Sequence, residues 1–406
     1  RGSSGPINGS VRPTKYAATA KPASANFAVL EITCVGADFV ISAIKEQNVK
    51  YYSKKSLEEM ASDRKIRVAA IGVGSLGRHH ARNYAELAHG GRVEFVGACD
   101  TDAETAKRIA RENGAAHFTD WRDLLDKVDT VSIATPTETH AEIACAFLEA
   151  GKHVLVEKPI ASTISDAERM IAAAESSGAK LMVGQLERYN PAMVALRPKV
   201  TTPLYFEIHR VSPFPNRSLD VDVVLDVMIH DLDAVQWLVG SDVEVSAIHA
   251  VGIPVISDKV DAANARIEFA NGTVANITAS RIGTEKIRKT RFYQTNSYVV
   301  LDYATKFASL TSLKPEATNL LDGIAIDRLE INDVEPLRAE ITAFLDGRRR
   351  PACIDTRRRR TREDRGPSVT LGSVKRTFTT EGTENTERGT KMAARFALNY
   401  AAEGNL

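Results

Sequence analysis

The sequence is short of cysteine, of net charge and of unbroken apolar runs, and each shortage removes a class of protein. Four cysteines in 406 residues (Cys34, Cys99, Cys145, Cys353) lie far apart, without the close pairs of a zinc site and too few to staple a chain of this size. No metal is expected, and a reducing, cytoplasmic setting fits best. Lysine and arginine total 53 against 52 acidic residues, a net charge of +1, so there is no global field for gripping nucleic acid or an anionic membrane. Any phosphate must be held by a local site, and the expected partner is a small molecule. The longest apolar run, Phe27 to Ile44, is interrupted by Glu31 and Asp38. A charge at bilayer depth costs about 2.5 to 3.5 kcal/mol, so no membrane span is expected. The run also starts behind a long polar stretch, unlike a signal peptide.

What remains is the composition of an ordinary folded protein, 43% hydrophobic and long enough for two or three domains. Residues 1–63 read as a leader, disordered at least over its Gly/Ser/Pro/Ala-rich first 25 residues. From residue 64 to 186, short apolar runs alternate with helix-length amphipathic stretches, the pattern of a doubly wound parallel sheet with crossover helices. Strands are expected at Ile66–Ile71, Val93–Ala98, Thr130–Ala134, His153–Val156 and Lys180–Val183, almost wholly apolar because such a sheet is buried on both faces. Helices are expected at Arg78–Leu87, Glu138–Glu149 and Ser165–Ser176. Residues 187–350 change rhythm: a short helix at Pro191, a strand Leu204–Val211, a loop over 212–218, a long helix over 220–239, then strands of period two. Asn271-Gly272 between two of these predicts a type I′ hairpin. This is an α+β domain with a mainly antiparallel sheet. Residues 351–406 read as a basic and polar tail, with RRRR at 357–360 and a terminal helix around Lys391 to Glu403; the run lacks interleaved aromatics, so a solvated extension is favoured over a nucleic-acid grip.

Three clusters carry chemistry. Gly72-Val73-Gly74-Ser75-Leu76-Gly77 follows a strand and opens a helix, with Asp100 at the end of the next strand. In that context the first glycine makes the turn, the second admits a pyrophosphate and the third lets the helix pack closely. Asp100 is placed to accept hydrogen bonds from the adenosine ribose, and with Asp102 it disfavours a 2′-phosphate, so NAD is expected over NADP. The second cluster, Thr135, Pro136 and His140 with Glu157 and Lys158, lies at two later strand ends, where an open parallel sheet binds its ligand. It is placed to meet the nicotinamide half. His140 reads equally as a cofactor neighbour or a surface histidine; Lys158 directly precedes Pro159, an X-Pro bond open to the cis form, which would fix its direction. The third cluster is Asp226 and His230, four apart on the long helix and so on one face, where a carboxylate can orient an imidazole that serves as general base. Alone, such a pair is more often a solvated helix pair, and metal binding is open to it in principle; beside a dinucleotide site that needs a proton acceptor, the general base is favoured.

Together, GVGSLG after the first strand, EKP after the fifth and D-x-x-x-H on the second-domain helix resemble the glucose–fructose oxidoreductase / inositol dehydrogenase / MocA family over about Lys65 to Arg350. The resemblance implies an NAD-dependent dehydrogenase acting on a CH–OH group, with Lys158 and His230 as the catalytic pair and Asp226 beside them. It also implies an open sheet face used for dimer or tetramer contacts. The segment Glu187 to Ala192, the loop His209 to Ser218 and the run Leu219 to Asp233 look like the branch that oxidises UDP-N-acetylglucosamine at C3. By that likeness Arg188, Tyr189, Asn190, Arg210 and Arg217 are candidate substrate contacts, the arginines for a sugar-nucleotide pyrophosphate; structural salt bridges are the alternative. A free polyol or hexose substrate, or a dinucleotide-binding regulator without chemistry, stays open. The helix that closes such proteins on their first domain is not evident in the Arg-rich stretch.

Overall fold

The structure, a computed structural model, describes residues 29–35, 38–45, 48–52, 65–214, 221–240, 242–314, 317, 319 and 323–349. The first part of the leader, the Arg-rich tail, the helix expected near Lys391 and Arg217 lie outside the described residues. Within the leader, β1 (Val29–Val35), β2 (Asp38–Lys45) and β3 (Asn48–Tyr52) form an antiparallel sheet, with Val29 opposite Ile44 and Ile41 opposite Tyr52. The interrupted apolar run supplies the first two strands, which the sequence reading did not assign.

The unit that begins at Lys65 opens with a six-stranded parallel sheet. Its elements are β4 (Ile66–Ile71), α1 (Gly77–His89), β5 (Val93–Cys99), α2 (Ala103–Glu112), β6 (Ala116–Phe118), β7 (Thr130–Ile133), α3 (His140–Glu149), β8 (His153–Glu157), α4 (Ile164–Ser177) and β9 (Leu181–Gly184). The sheet order is β6-β5-β4-β7-β8-β9, so the winding reverses between β4 and β7 and opens a crevice at their carboxyl ends. The expected strands are all present within a residue or two. β6 was not anticipated, because three residues with two of them exposed leave no apolar run to read. On one face, Val131, Ile133, Val154 and Val156 pack under Ile143, Phe147, Leu148 and Met170 of α3 and α4. On the other, Val68, Ala70 and Phe95 pack under Tyr84 and Leu87 of α1 and Ile109 of α2.

That second face is completed from far along the chain. A helix, α7 (Pro336–Arg349), buries Leu337, Ile341, Phe344 and Leu345 in the same cluster. The closing helix therefore exists, but before the Arg-rich stretch in which it was sought.

The second domain has α5 (Pro191–Leu196) and an eight-stranded sheet: β10 (Pro203–Val211), β11 (Val245–Ile253), β12 (Ala262–Phe269), β13 (Val274–Ser280), β14 (Ile287–Gln294), β15 (Ser297–Asp302), β16 (Phe307–Leu313) and β17 (Ile324–Arg328). The order is β11-β12-β13-β10-β14-β15-β16-β17, antiparallel throughout except for the β10–β13 pair. Alternating residues such as Phe206, Ile208, Ala265, Ile267, Ile277 and Phe292 face a core shared with α5 and the helix carrying His230. Two local expectations are corrected. The β12–β13 hairpin forms, but only Gly272 has positive φ (+87°), and its N–H donates to Phe269 O; this is a turn closed by a left-handed glycine, not type I′, which needs both central residues at positive φ. The long helix expected over 220–239 is a π-turn (Val224–Met228) that leads into α6 (Ile229–Val239). No described helix is long and apolar enough to cross a membrane.

Candidate active site

The glycine loop sits at the reversal of the sheet, between β4 and β7. Gly72 has φ +79°, and a Cβ there would stand 2.7 Å from the Ala134 backbone, so the turn lies tight against the end of β7. At Gly77 a Cβ would come within 1.8 Å of Gly72 O, which is why the helix can start so close to the strand only with glycine. Gly74 meets nothing within 4 Å, and both it and Ser75 are exposed. Leu76, the residue before α1, offers no side-chain cap, and the first turn carries no acid. The Arg78 and His79 N–H groups donate to Gly74 O and Leu76 O, while the exposed Gly74–Ser75 backbone and the positive end of the helix dipole form a cradle suited to a pyrophosphate.

Asp100 follows β5 and reaches this loop: its Oδ2 accepts from Val73 N at 3.0 Å and its Oδ1 from Asp102 N at 3.1 Å. The long sequence separation from the glycines closes up in space, and the carboxylate keeps lone pairs for ribose hydroxyls. Asp102 caps α2 by accepting from Glu104 N. Replacing Asp100 by alanine is expected to weaken NAD about tenfold, the scale of a hydrogen bond to a charged group, and to narrow the preference over NADP. Fluorescence titration with NADH and NADPH measures both; an unchanged ratio would remove Asp100 from ribose recognition.

At the second strand end, Thr135 packs its methyl beside Gly72 and accepts at Oγ1 from Thr139, and Pro136 starts the turn that leads into α3. His140 proves to be a tie between loops: Nε2 lies 2.9 Å from Thr135 O and Nδ1 lies 3.0 Å from Pro159 O, with the ring buried. Burial lowers its pKa against the opposite pull of those carbonyls. It is not the surface histidine of one reading; it holds the two strand-end loops together. Glu157 also turns inward, its Oε1 2.9 Å from buried His80 Nε2 and its Oε2 accepting from Lys158 N at 3.3 Å.

The Lys158–Pro159 bond is cis. The lysine Nζ crosses to the second domain, donating to Asp226 O at 2.8 Å and Asp226 Oδ1 at 3.3 Å. This corrects the expected role of Asp226. In a regular α-helix residues four apart stack, but Asp226 lies in the π-turn, whose wider spacing breaks that alignment. Among the described residues no hydrogen bond joins Asp226 to His230, and His230 Nδ1 is buried without a partner. Asp226 positions Lys158 instead. Burial drives the His230 pKa well below 6.5, helped by the charges of Lys158, Arg210 and Arg288. The imidazole is therefore neutral at physiological pH, with a lone pair to offer.

The other sequence candidates are engaged elsewhere. Arg188 donates Nε to Asp233 Oδ2 at 2.8 Å and Nη2 to Oδ1 at 2.6 Å. Arg210 grips Asp231 through Nε and Nη2, both at 2.8 Å, and donates Nη1 to Glu187 at 2.8 Å. Both guanidinium groups thus stand in ion pairs with buried acids, the alternative the sequence left open. Asn190 caps α5 by accepting from Ala192 N, and burial pushes the Tyr189 phenol up to about 12. Asp231 and Asp233 were missed as partners, yet they were detectable: two acids inside the apolar run of α6 must find cations once buried. His80 and Glu340 carried no comparable motif.

Comparison with known proteins bears on the same stretches. The oxidoreductase family model with an NAD-binding Rossmann fold matches residues 66–185, and the GFO/IDH/MocA C-terminal domain matches 202–299. A UDP-N-acetylglucosamine 3-dehydrogenase of Acidithiobacillus ferrooxidans is 36% identical over 282 residues, covering 69% of this chain and 88% of that relative. The chain belongs to the Gfo/Idh/MocA oxidoreductase family. The protein is accordingly an NAD-binding dehydrogenase, and its glycine loop falls within the stretch that the NAD-binding Rossmann model matches. A crystal structure of the Acidithiobacillus enzyme matches with a TM-score of 0.65 over 70% of this chain and 90% of its own. An inositol 2-dehydrogenase of Acidothermus cellulolyticus is 32% identical over 47% of this chain and 58% of its own length. Levoglucosan dehydrogenase in complex with NADH shares the fold at 24% identity and a TM-score of 0.63.

Proposed function

We propose that the protein oxidises a sugar-nucleotide hydroxyl with NAD, the C3 hydroxyl of UDP-N-acetylglucosamine being the leading substrate. The observation that carries the reaction is the meeting of Lys158, from the end of β8, with the helix of His230, at the carboxyl edge of the NAD-binding sheet. Neutral His230 takes the hydroxyl proton. Lys158, held by Asp226, donates a hydrogen bond to the oxygen as negative charge develops on it. NAD, when bound, accepts the hydride from the carbinol carbon. The substrate assignment is supported by 36% identity along 88% of the Acidithiobacillus enzyme, against 58% of the length of the inositol dehydrogenase.

One observation favours a second reading. With Arg188 and Arg210 tied to Asp233 and Asp231, a free polyol or hexose needs no further explanation, whereas a sugar nucleotide must have its pyrophosphate held by other groups. A homo-oligomer belongs to the same proposal; the outward side of the large sheet exposes Val251, Ile253 and Tyr293, the last against Tyr298 at 5.0 Å between ring centroids. The purified chain with NAD and UDP-N-acetylglucosamine, in the presence of a hydrazine to trap ketone, is expected to yield a trapped 3-keto sugar nucleotide by mass spectrometry and NMR. Absence of that product alongside intact NAD binding, with ketone trapped from inositol or a hexose, would replace the substrate assignment by the polyol reading.

A further inference from the structure

Helix α7 shows an apolar stripe with one foreign member. Leu337, Ile341, Phe344 and Leu345 follow the spacing of a core-facing helix, and Glu340 falls among them where a leucine would be ordinary. Its side chain is fully buried, and neither carboxyl oxygen has a hydrogen-bond partner. The neighbouring apolar anchors prevent it from swinging to water. An ionised carboxylate in that position would be charged, dry and unbonded, a state that proteins avoid by neutralising the group.

The surroundings point the same way. Helix α7 packs with Leu155 of β8 and Tyr84 of α1 in one cluster, and there Glu340 lies within the electrostatic reach of Glu157, Asp233, Arg188, Tyr84 and Tyr189. Asp233 already holds Arg188 through two hydrogen bonds, and Glu157 is the charge that acts most strongly on Glu340. Glu157 in turn meets His80 and the backbone N–H of Lys158. So Glu340 stands where the nucleotide-binding sheet, the helix of His230 and the closing helix converge, directly behind the residue that precedes the reactive lysine.

We propose that Glu340 is a positioning residue: a carboxylic acid kept uncharged behind Glu157, whose neutrality lets Glu157 keep its hold on His80 and on the Lys158 backbone. Its link to turnover rests on the reading of Lys158 given above, but its protonation does not. Ionising Glu340 would set two carboxylates against each other and push the end of β8 out of place.

Two readouts need no substrate. Burial and the Glu157 charge raise the Glu340 pKa well above the ordinary 4.5, so its favourable neutral form is complete below that value and its contribution to stability is lost as pH rises. Glu340→Gln lacks this loss. Between about pH 5 and 8 its Tm is therefore expected to climb relative to wild type by about 3 °C or more. Difference infrared spectra of wild type against Glu340→Gln are expected to show a protonated carboxylic C=O band at neutral pH. A third readout uses the substrate identified by product trapping: wild-type kcat is expected to fall about tenfold or more as pH rises through the Glu340 titration, and Glu340→Gln, which cannot ionise, to lack that fall. A pH-independent Tm difference together with a missing C=O band would overturn the neutral acid. An alkaline fall of kcat shared by wild type and Glu340→Gln would overturn the positioning role. If Glu340→Gln fails to fold, Glu340→Leu replaces it in each comparison, with the same expected outcome.

Discussion

Lys158→Met and His230→Ala are each expected to cut kcat by about a thousandfold while leaving the Kd for NAD within about twofold. The reasoning separates the two halves of the site. On the function proposed above, NAD is held by the loop after β4 and by Asp100, which accepts from Val73 N, whereas Lys158 and His230 serve the substrate, Lys158 being held by Asp226. Removing His230 takes away the proton acceptor; removing the ammonium takes away the donor that meets the developing alkoxide. The wild-type pH profile provides an independent check. Because the folded His230 pKa lies well below 6.5, the acid limb of kcat/KM is expected below that value and not at it. The stability contributed by keeping this histidine neutral is complete above 6.5 and is lost as pH falls toward the depressed pKa. Stopped-flow NADH formation measures turnover, and equilibrium fluorescence measures affinity. Folded variants that keep wild-type kcat would remove both residues from the chemistry.

Gly77→Ala should be the most damaging single change to cofactor binding. A methyl group at this position would sit 1.8 Å from Gly72 O, far inside any contact distance, and the obstacle is backbone, which cannot step aside as a flexible side chain would. Either the turn opens or α1 moves away from β4, and in both cases the N-terminal end of α1 leaves the glycine turn. A loss of about a hundredfold in NAD affinity is expected, with a clear drop in Tm, because α1 also carries Tyr84 and Leu87 of the core. Gly74→Ala is the informative companion. Its Cβ would meet only open space, so the apoprotein should keep its Tm while NAD, which must approach there, binds more weakly. Equal NAD affinity in Gly74→Ala and wild type would show that the pyrophosphate does not come close at that position.

Much of this architecture could be read along the chain because its signals are local. A strand buried on both faces is an apolar run, a glycine turn that must admit a phosphate is three glycines at fixed spacing, and an alternating strand beside an Asn-Gly pair announces a hairpin. β4, β5, β7, β8 and β9, the cofactor loop and the residues Lys158 and His230 all carry such marks. The details that failed depend on geometry finer than residue type. Asparagine adopts either sign of φ, so residue type does not say whether Asn271 shares the positive φ of Gly272, and no pattern of apolar residues distinguishes a π-turn at Val224–Met228 from regular helix.

The sequence by itself determined the fold class and the NAD-binding character, through periodicity and the spaced glycines, and a family resemblance singled out Lys158 and His230 as the pair to test. Only the tertiary structure decided the partnerships. Asp226 serves Lys158 and not His230; Arg188 and Arg210 serve Asp233 and Asp231; Glu340 returns from the far end of the unit to stand behind Glu157. The reason is physical. A buried charge is satisfied by whichever group the fold carries within about 3 Å, and that choice is made across separations in sequence that no local pattern encodes.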